Sequence, residues 1–136
     1  MRRVILVREW DGQTSGSGCC GRLGGVCDDL GNADDYARSR ADMEAMGAVY
    51  RGIRRTYPDV HVEICDPRNM FWLIPAIVHD ARRRGLRGAE VRAQVRRGVA
   101  RNAVIVDGLV LHWGEPPAVA PLLDALEREL GAAVSR

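Results

Sequence analysis

Ala103-Val104-Ile105-Val106-Asp107-Gly108-Leu109-Val110-Leu111-His112 is the stretch on which the fold turns. Two short apolar, β-branched runs flank an Asp-Gly pair. That pair accepts the positive φ angles of a two-residue type I′ turn, so the segment predicts an antiparallel hairpin. Outward towards the amino terminus, Val4-Ile5-Leu6-Val7 predicts a buried strand, and Val60-His61-Val62-Glu63-Ile64 predicts a second that runs straight into Cys65. Between them a long helix, capped by Asn32 or Asp34, carries the stripe Met43, Met46, Tyr50, Ile53 and Tyr57 at the spacing of one buried face; Pro58-Asp59 ends it.

Beyond the second strand, Asp66-Pro67-Arg68-Asn69 is a turn, and Met70 to Arg84 predicts a helix that is apolar nearly all round in its first half. Pro75 should kink that helix or mark the first turn of a shorter one. Gly85 and Gly88 bound a break before a third short helix, Glu90 to Arg101, with Val91, Val95 and Val99 on one face. After the hairpin, Pro116-Pro117 opens a terminal helix with Val119, Leu122, Leu123, Leu126 and Leu130 as its stripe. The order strand, helix, strand, helix, short helix, strand, strand, helix is that of an α/β protein. A four-stranded mixed sheet flanked by helices is expected, in a single domain over residues 1–136.

Composition narrows the class. With 136 residues, 46% hydrophobic and 28% charged, the chain can bury a core without disulfide staples, so its four cysteines need not be scaffolding. Arg2 and Arg3 precede only a four-residue apolar run, short of a signal-peptide core, and no run approaches a membrane span. A cytoplasmic protein with reduced thiols is the expectation. A net charge of +2 argues against a strongly electrostatic partner, and all 20 basic residues are arginine.

Three of the cysteines, Cys19, Cys20 and Cys27, fall in a glycine-rich loop at about 9–32 that has neither helical nor strand period. A loop of that length inside a compact domain is usually functional. If the first two strands are parallel, these sulfurs and Cys65 gather at one sheet edge, where open α/β sheets place their chemistry. The flexible amides of Gly16-Ser17-Gly18-Cys19-Cys20-Gly21 and the guanidinium of Arg22 favour a thiolate there. A Cys19-Cys20 disulfide closes only a strained ring; Cys20 with Cys27, or a loop cysteine with Cys65, is a more relaxed pairing. Cys65 alone equally fits a buried small hydrophobe at a strand end.

The layout of a parallel crossover followed by an antiparallel hairpin and a closing helix resembles the thioredoxin-like superfamily over almost the whole chain. The closest local match is Asn102-Ala103-Val104-Ile105-Val106-Asp107-Gly108, similar to the segment where that family carries a cis-proline before its hairpin. Asn102 stands where the proline is expected, and adjacent Cys19-Cys20 replaces Cys-x-x-Cys at the head of the first helix. The resemblance implies a thiol-disulfide redox protein with no cofactor and a protein or small-thiol redox partner. Cys20 would attack, Cys19 or Cys27 would resolve, and Arg22 would stabilise the thiolate. Trp10, Asn102 and Cys65 would border the substrate, with Trp72 and Trp113 as further rim candidates that core or edge packing explains equally well.

A rival class uses the same residues as ligands. Thioredoxin-like ferredoxins hold a [2Fe-2S] cluster on this edge, which would make Cys19, Cys20, Cys27 and Cys65 a ligand set for a cluster or zinc, with Cys20, Cys27, Cys65 and a histidine as a further zinc set. Asn69 occupies the second position of that family's Cys-x-x-x-Cys pair, and His61, His79 and His112 show no ligand spacing. A third class is a redox-inactive adaptor using the arginine-rich segment 82–101, in which eight arginines face one acidic residue, Glu90. That segment lacks interleaved aromatics, which argues against nucleic acid. Gly16, Gly18 and Gly21 match a dinucleotide pattern, but no periodic helix follows them.

Overall fold

The computed structural model describes residues 2–8 and 33–134. In chain order its elements are β1 (Arg3–Val7), α1 (Ala33–Thr56), β2 (His61–Cys65), α2 (Met70–Arg84), α3 (Ala89–Gly98), β3 (Val104–Val106), β4 (Leu109–His112) and α4 (Val119–Val134). The four strands form one mixed sheet in the order β2-β1-β3-β4. β1 pairs with β2 in parallel, with Val7 opposite Cys65, while β1–β3 and β3–β4 are antiparallel.

Strand alternation divides the core into two layers. Val4, Leu6, Val104 and Val106 point to one face and meet Met46, Val49 and Ile53 of α1 and Leu122, Leu126 and Leu130 of α4. Ile5, Val7, Cys65, Ile105 and Val110 point to the other and meet Leu73, Ala76 and Ile77 of α2. β1 is buried on both faces, which is why Val4-Ile5-Leu6-Val7 is apolar without alternation.

The hairpin forms at the expected turn. Asp107 and Gly108 have φ of 46° and 83°, the positive pair that type I′ requires. Gly108 also packs onto α2: a Cβ there would lie 2.2 Å from the Ala81 nitrogen. Around this turn the amino-terminal end of β1 is stitched to its neighbours. The Arg3 nitrogen donates to Asp107 Oδ1 at 2.9 Å, and Asp107 N–H returns a bond to the Arg3 carbonyl at 2.9 Å. The Arg3 guanidinium donates to the buried Asp80 carboxylate at 2.6 and 2.8 Å. Arg84 donates to the Val106 carbonyl at 3.1 Å and pairs with Glu129 of α4 at 3.2 Å.

Several local expectations are corrected. The buried stripe of α1 is Met46, Val49 and Ile53, whereas Tyr50 is exposed and the smaller Val49 packs into the core in its place. α2 runs unbroken from Met70 through Pro75. Its first turn is not buried all round, because Met70, Phe71 and Trp72 project outward while Leu73, Ala76 and Ile77 hold the sheet. α3 ends at Gly98, where a Cβ would meet the Ile77 side chain at 2.6 Å. Its buried face includes Gln94, whose Oε1 accepts the Val110 N–H at 2.8 Å, a backbone donor that the hairpin itself leaves unpaired.

Candidate functional site

The parallel pair β1 and β2 ends on one edge of the sheet, and the Arg8 N–H donates to the Cys65 carbonyl at 2.9 Å just past the last paired residues. From Arg8 the chain leaves this edge towards Cys19, Cys20 and Cys27. Those three cysteines, Arg22 and Trp10 lie outside the described residues. Of the expected site, Cys65 and Asn102 are described.

The Cys65 side chain is 5% exposed and packs in the cluster of Val7, Leu73 and Ala103. Its thiol donates weakly to the Asp66 carbonyl, with sulfur and oxygen 3.4 Å apart. Burial pushes the Cys65 pKa up, and the carboxylates of Asp66 and Glu63 add to the effect. Removing water and adding neighbouring negative charge both disfavour the thiolate. Cys65 is therefore a protonated, poorly nucleophilic thiol at neutral pH.

The turn after Cys65 is built on Asp66. Its Oδ1 accepts the Arg68 N–H at 2.8 Å, an Asx turn, and the Arg68 guanidinium donates to both carboxylate oxygens at 2.9 and 2.8 Å. The Asn69 N–H donates to the Asp66 carbonyl at 2.9 Å, and the Asn69 carbonyl accepts the Leu73 N–H at 3.0 Å, which starts α2. Beside the turn lies an open groove of about 560 Å³ lined by Glu63, Cys65, Asp66, Arg68, Asn69 and Trp72. Phe71, 97% exposed, and Met70, 49% exposed, stand next to it.

Asn102 lies on the other side of β1. Val7 is opposite Cys65 in β2, and its N–H donates to the Ala103 carbonyl at 2.9 Å, so Cys65 and the Asn102-Ala103 corner flank the same residue. Asn102 is 1% exposed with φ of 61°, a left-handed conformation that asparagine tolerates better than most side chains. Its Nδ2 donates to the Gly114 carbonyl at 3.0 Å, while the Gly114 N–H donates to the Arg101 carbonyl at 2.8 Å. This clasp ties the chain entering β3 to the chain leaving β4. Every described peptide bond is trans, so the corner is shaped by the left-handed asparagine.

The remaining candidates separate. Trp72 borders the groove and has the Arg3 guanidinium 5.8 Å from its ring, whereas Trp113 lies under Arg97 at 5.0 Å on the α3–β4 side. His61 pairs with Glu63, His112 Nε2 meets the Glu115 carbonyl at 2.6 Å, and His79 is exposed on α2. Among the described residues no three His, Cys, Asp or Glu side chains converge as a metal site, and no helix is long and apolar enough to cross a membrane. The Asp66–Arg68 pair and Phe71 were not singled out by motif reasoning; Asp-Pro-Arg-Asn followed by Met-Phe-Trp is the signal that locates them. No family model, curated protein or solved structure matches this chain, so its functional interpretation rests on its own residues.

Proposed function

We propose that this chain is a thioredoxin-like thiol-disulfide redox protein whose reactive cysteines are those of the segment that follows β1. The observation that carries the proposal is the parallel register of β1 and β2, which starts that segment beside Cys65 at the edge favoured for chemistry in open α/β sheets. The strand order β2-β1-β3-β4, with β3 alone reversed, supports the thioredoxin-like layout.

In this mechanism the Cys20 thiolate attacks one sulfur of a partner disulfide, and the partner's other sulfur leaves as a thiolate and takes up a proton. Cys19 or Cys27 then gives up its proton and displaces the second partner sulfur, which is protonated in turn. The chain's two thiols have become a disulfide and the partner's disulfide two thiols, a balanced two-electron exchange. Arg22 and the loop amides stabilise the attacking thiolate. Cys65, protonated and buried, is a bystander or late resolving thiol rather than the attacker. Asn102 shapes the wall on the far side of β1.

The test is to purify the reduced protein without oxygen, record its visible spectrum with iron, zinc and thiol content, and then add oxidised glutathione. A colourless, metal-free protein that loses two thiols, with the loss abolished in Cys20→Ser, is the expected result. Visible bands with stoichiometric iron, stoichiometric zinc, or thiol loss unchanged in Cys20→Ser would overturn the exchange mechanism.

A further inference from the structure

We infer that the α2–α3 layer is a docking face for an acidic protein segment. Of the eight arginines between Arg82 and Arg101, three are engaged within the fold: Arg84 with Val106 and Glu129, Arg97 with the Trp113 ring, and Arg101 with the Asp42 carboxylate at 3.9 Å. The other five, Arg82, Arg83, Arg87, Arg92 and Arg96, are exposed and make no side-chain hydrogen bond, ion pair or ring contact with a described residue. Glu90 is the single acidic residue in that span, and the nearby Asp80 is buried against Arg3.

The helix dipole accounts for part of this pattern. A basic last turn stabilises the negative carboxyl end of a helix, which covers Arg82 and Arg83 on α2 and Arg96 on α3. It does not cover Arg87 in the connecting turn or Arg92 in the middle of α3. The opposite layer differs in kind, since α1 and α4 mix signs, with Glu44, Arg51 and Arg54 on α1 and Asp124 and Glu127 on α4. Among the described residues the excess of positive charge is thus concentrated in the α2–α3 layer.

Carboxylates match this face better than a nucleic-acid backbone does. Guanidinium forks donate two bonds at a time to carboxylates and phosphates alike, so the aromatics decide between the two. Of the exposed aromatics that would stack bases, Phe71 and Trp72 sit at the opposite end of α2 from Arg82 and Arg83, and the Trp113 ring already carries the Arg97 guanidinium. Single-signed faces of this kind steer association and set its salt dependence. The inference stands independently of the thiol chemistry.

Fluorescence anisotropy with a labelled polyglutamate peptide, and with duplex DNA of equal charge, tests it on the full chain. The peptide is expected to bind at low salt, to weaken as ionic strength rises to physiological, and to lose roughly tenfold or more in affinity with Arg87→Glu, Arg92→Glu and Arg96→Glu combined. The charge-matched triple Arg51→Glu, Arg54→Glu and Arg55→Glu on α1 should leave binding within about twofold. A variant with Cys19, Cys20 and Cys27 changed to serine should bind like wild type, which separates this surface from the redox proposal. No peptide binding at low salt, equal loss from the α1 variant, or tighter binding of the DNA would overturn the inference. Circular dichroism of each variant separates loss of binding from loss of folding.

Discussion

The two ends of the central sheet are built on opposite plans. At the amino-terminal end of β1, charged side chains are paired across elements: Arg3 with Asp80 and Asp107, Arg84 with Val106 and Glu129, with Gly108 pressed onto the backbone of α2. At the carboxyl end the sheet finishes in a buried thiol, an Asp66–Arg68 turn and an open groove, with Phe71 almost fully in water. The same β1 strand supplies both ends. The closed end holds the layers in register, which leaves the open end free to carry residues chosen for something other than packing.

The largest effect is expected at the closed end. Gly108→Ala places a Cβ against Ala81 and forces a positive φ on alanine, and a loss of at least about 3 kcal/mol, or failure to fold, should appear in urea unfolding. Near-wild-type stability would show that the turn can lift off α2 and that this end is less rigid than its contacts imply. Asp80→Ala comes next. It strands the Arg3 guanidinium, a quarter of which is still in water, and about 2 kcal/mol should be lost. Adding Arg3→Met should recover part of that loss, since it removes the stranded charge; no recovery would mean that Asp80 acts through packing alone.

The smallest effect belongs to the open end and appears as pH dependence. The folded-state pKa of Cys65 is raised, so the thiol's contribution to stability is fully present below the ordinary thiol pKa and is lost as pH rises from there through the raised value. Wild type should lose stability on the alkaline side more steeply than Cys65→Ala, whose cost near neutral pH is about 1 kcal/mol. Identical alkaline slopes would mean that Cys65 ionises as freely in the fold as out of it. The contrast between a buried thiol and an accessible groove would then be lost.

Legibility followed the range of the interactions. Asp107-Gly108 declared its turn because the chemistry is local to two residues. The terminal helix stripe of Leu122, Leu126 and Leu130 is equally direct. The face of α1 was legible only to within one residue, because Met43 and Tyr50 share helical spacing with Met46 and Ile53, and only the packed sheet separates Val49 inside from Tyr50 outside. Buried polar residues escaped the apolar pattern altogether. Gln94 is inside because the Val110 N–H needs an acceptor, and Asp80 because Arg3, 77 residues away, needs a counter-charge. The converse holds at Met70, Phe71 and Trp72, which are apolar in sequence and exposed on α2.

By itself the sequence determined the α/β class, the order of its elements, the hairpin turn and the position of Cys65 at the end of the second strand, since each follows from residue periodicity or from the φ preferences of one or two residues. Tertiary structure alone decided that β1 and β2 run parallel in register, that Cys65 is buried beside Asp66 and Glu63 with its thiol held protonated, and that five arginines of the α2–α3 layer are left without a side-chain partner among the described residues. Those properties depend on which distant groups share space, and burial, dielectric and charge pairing exist only once the layers have closed on one another.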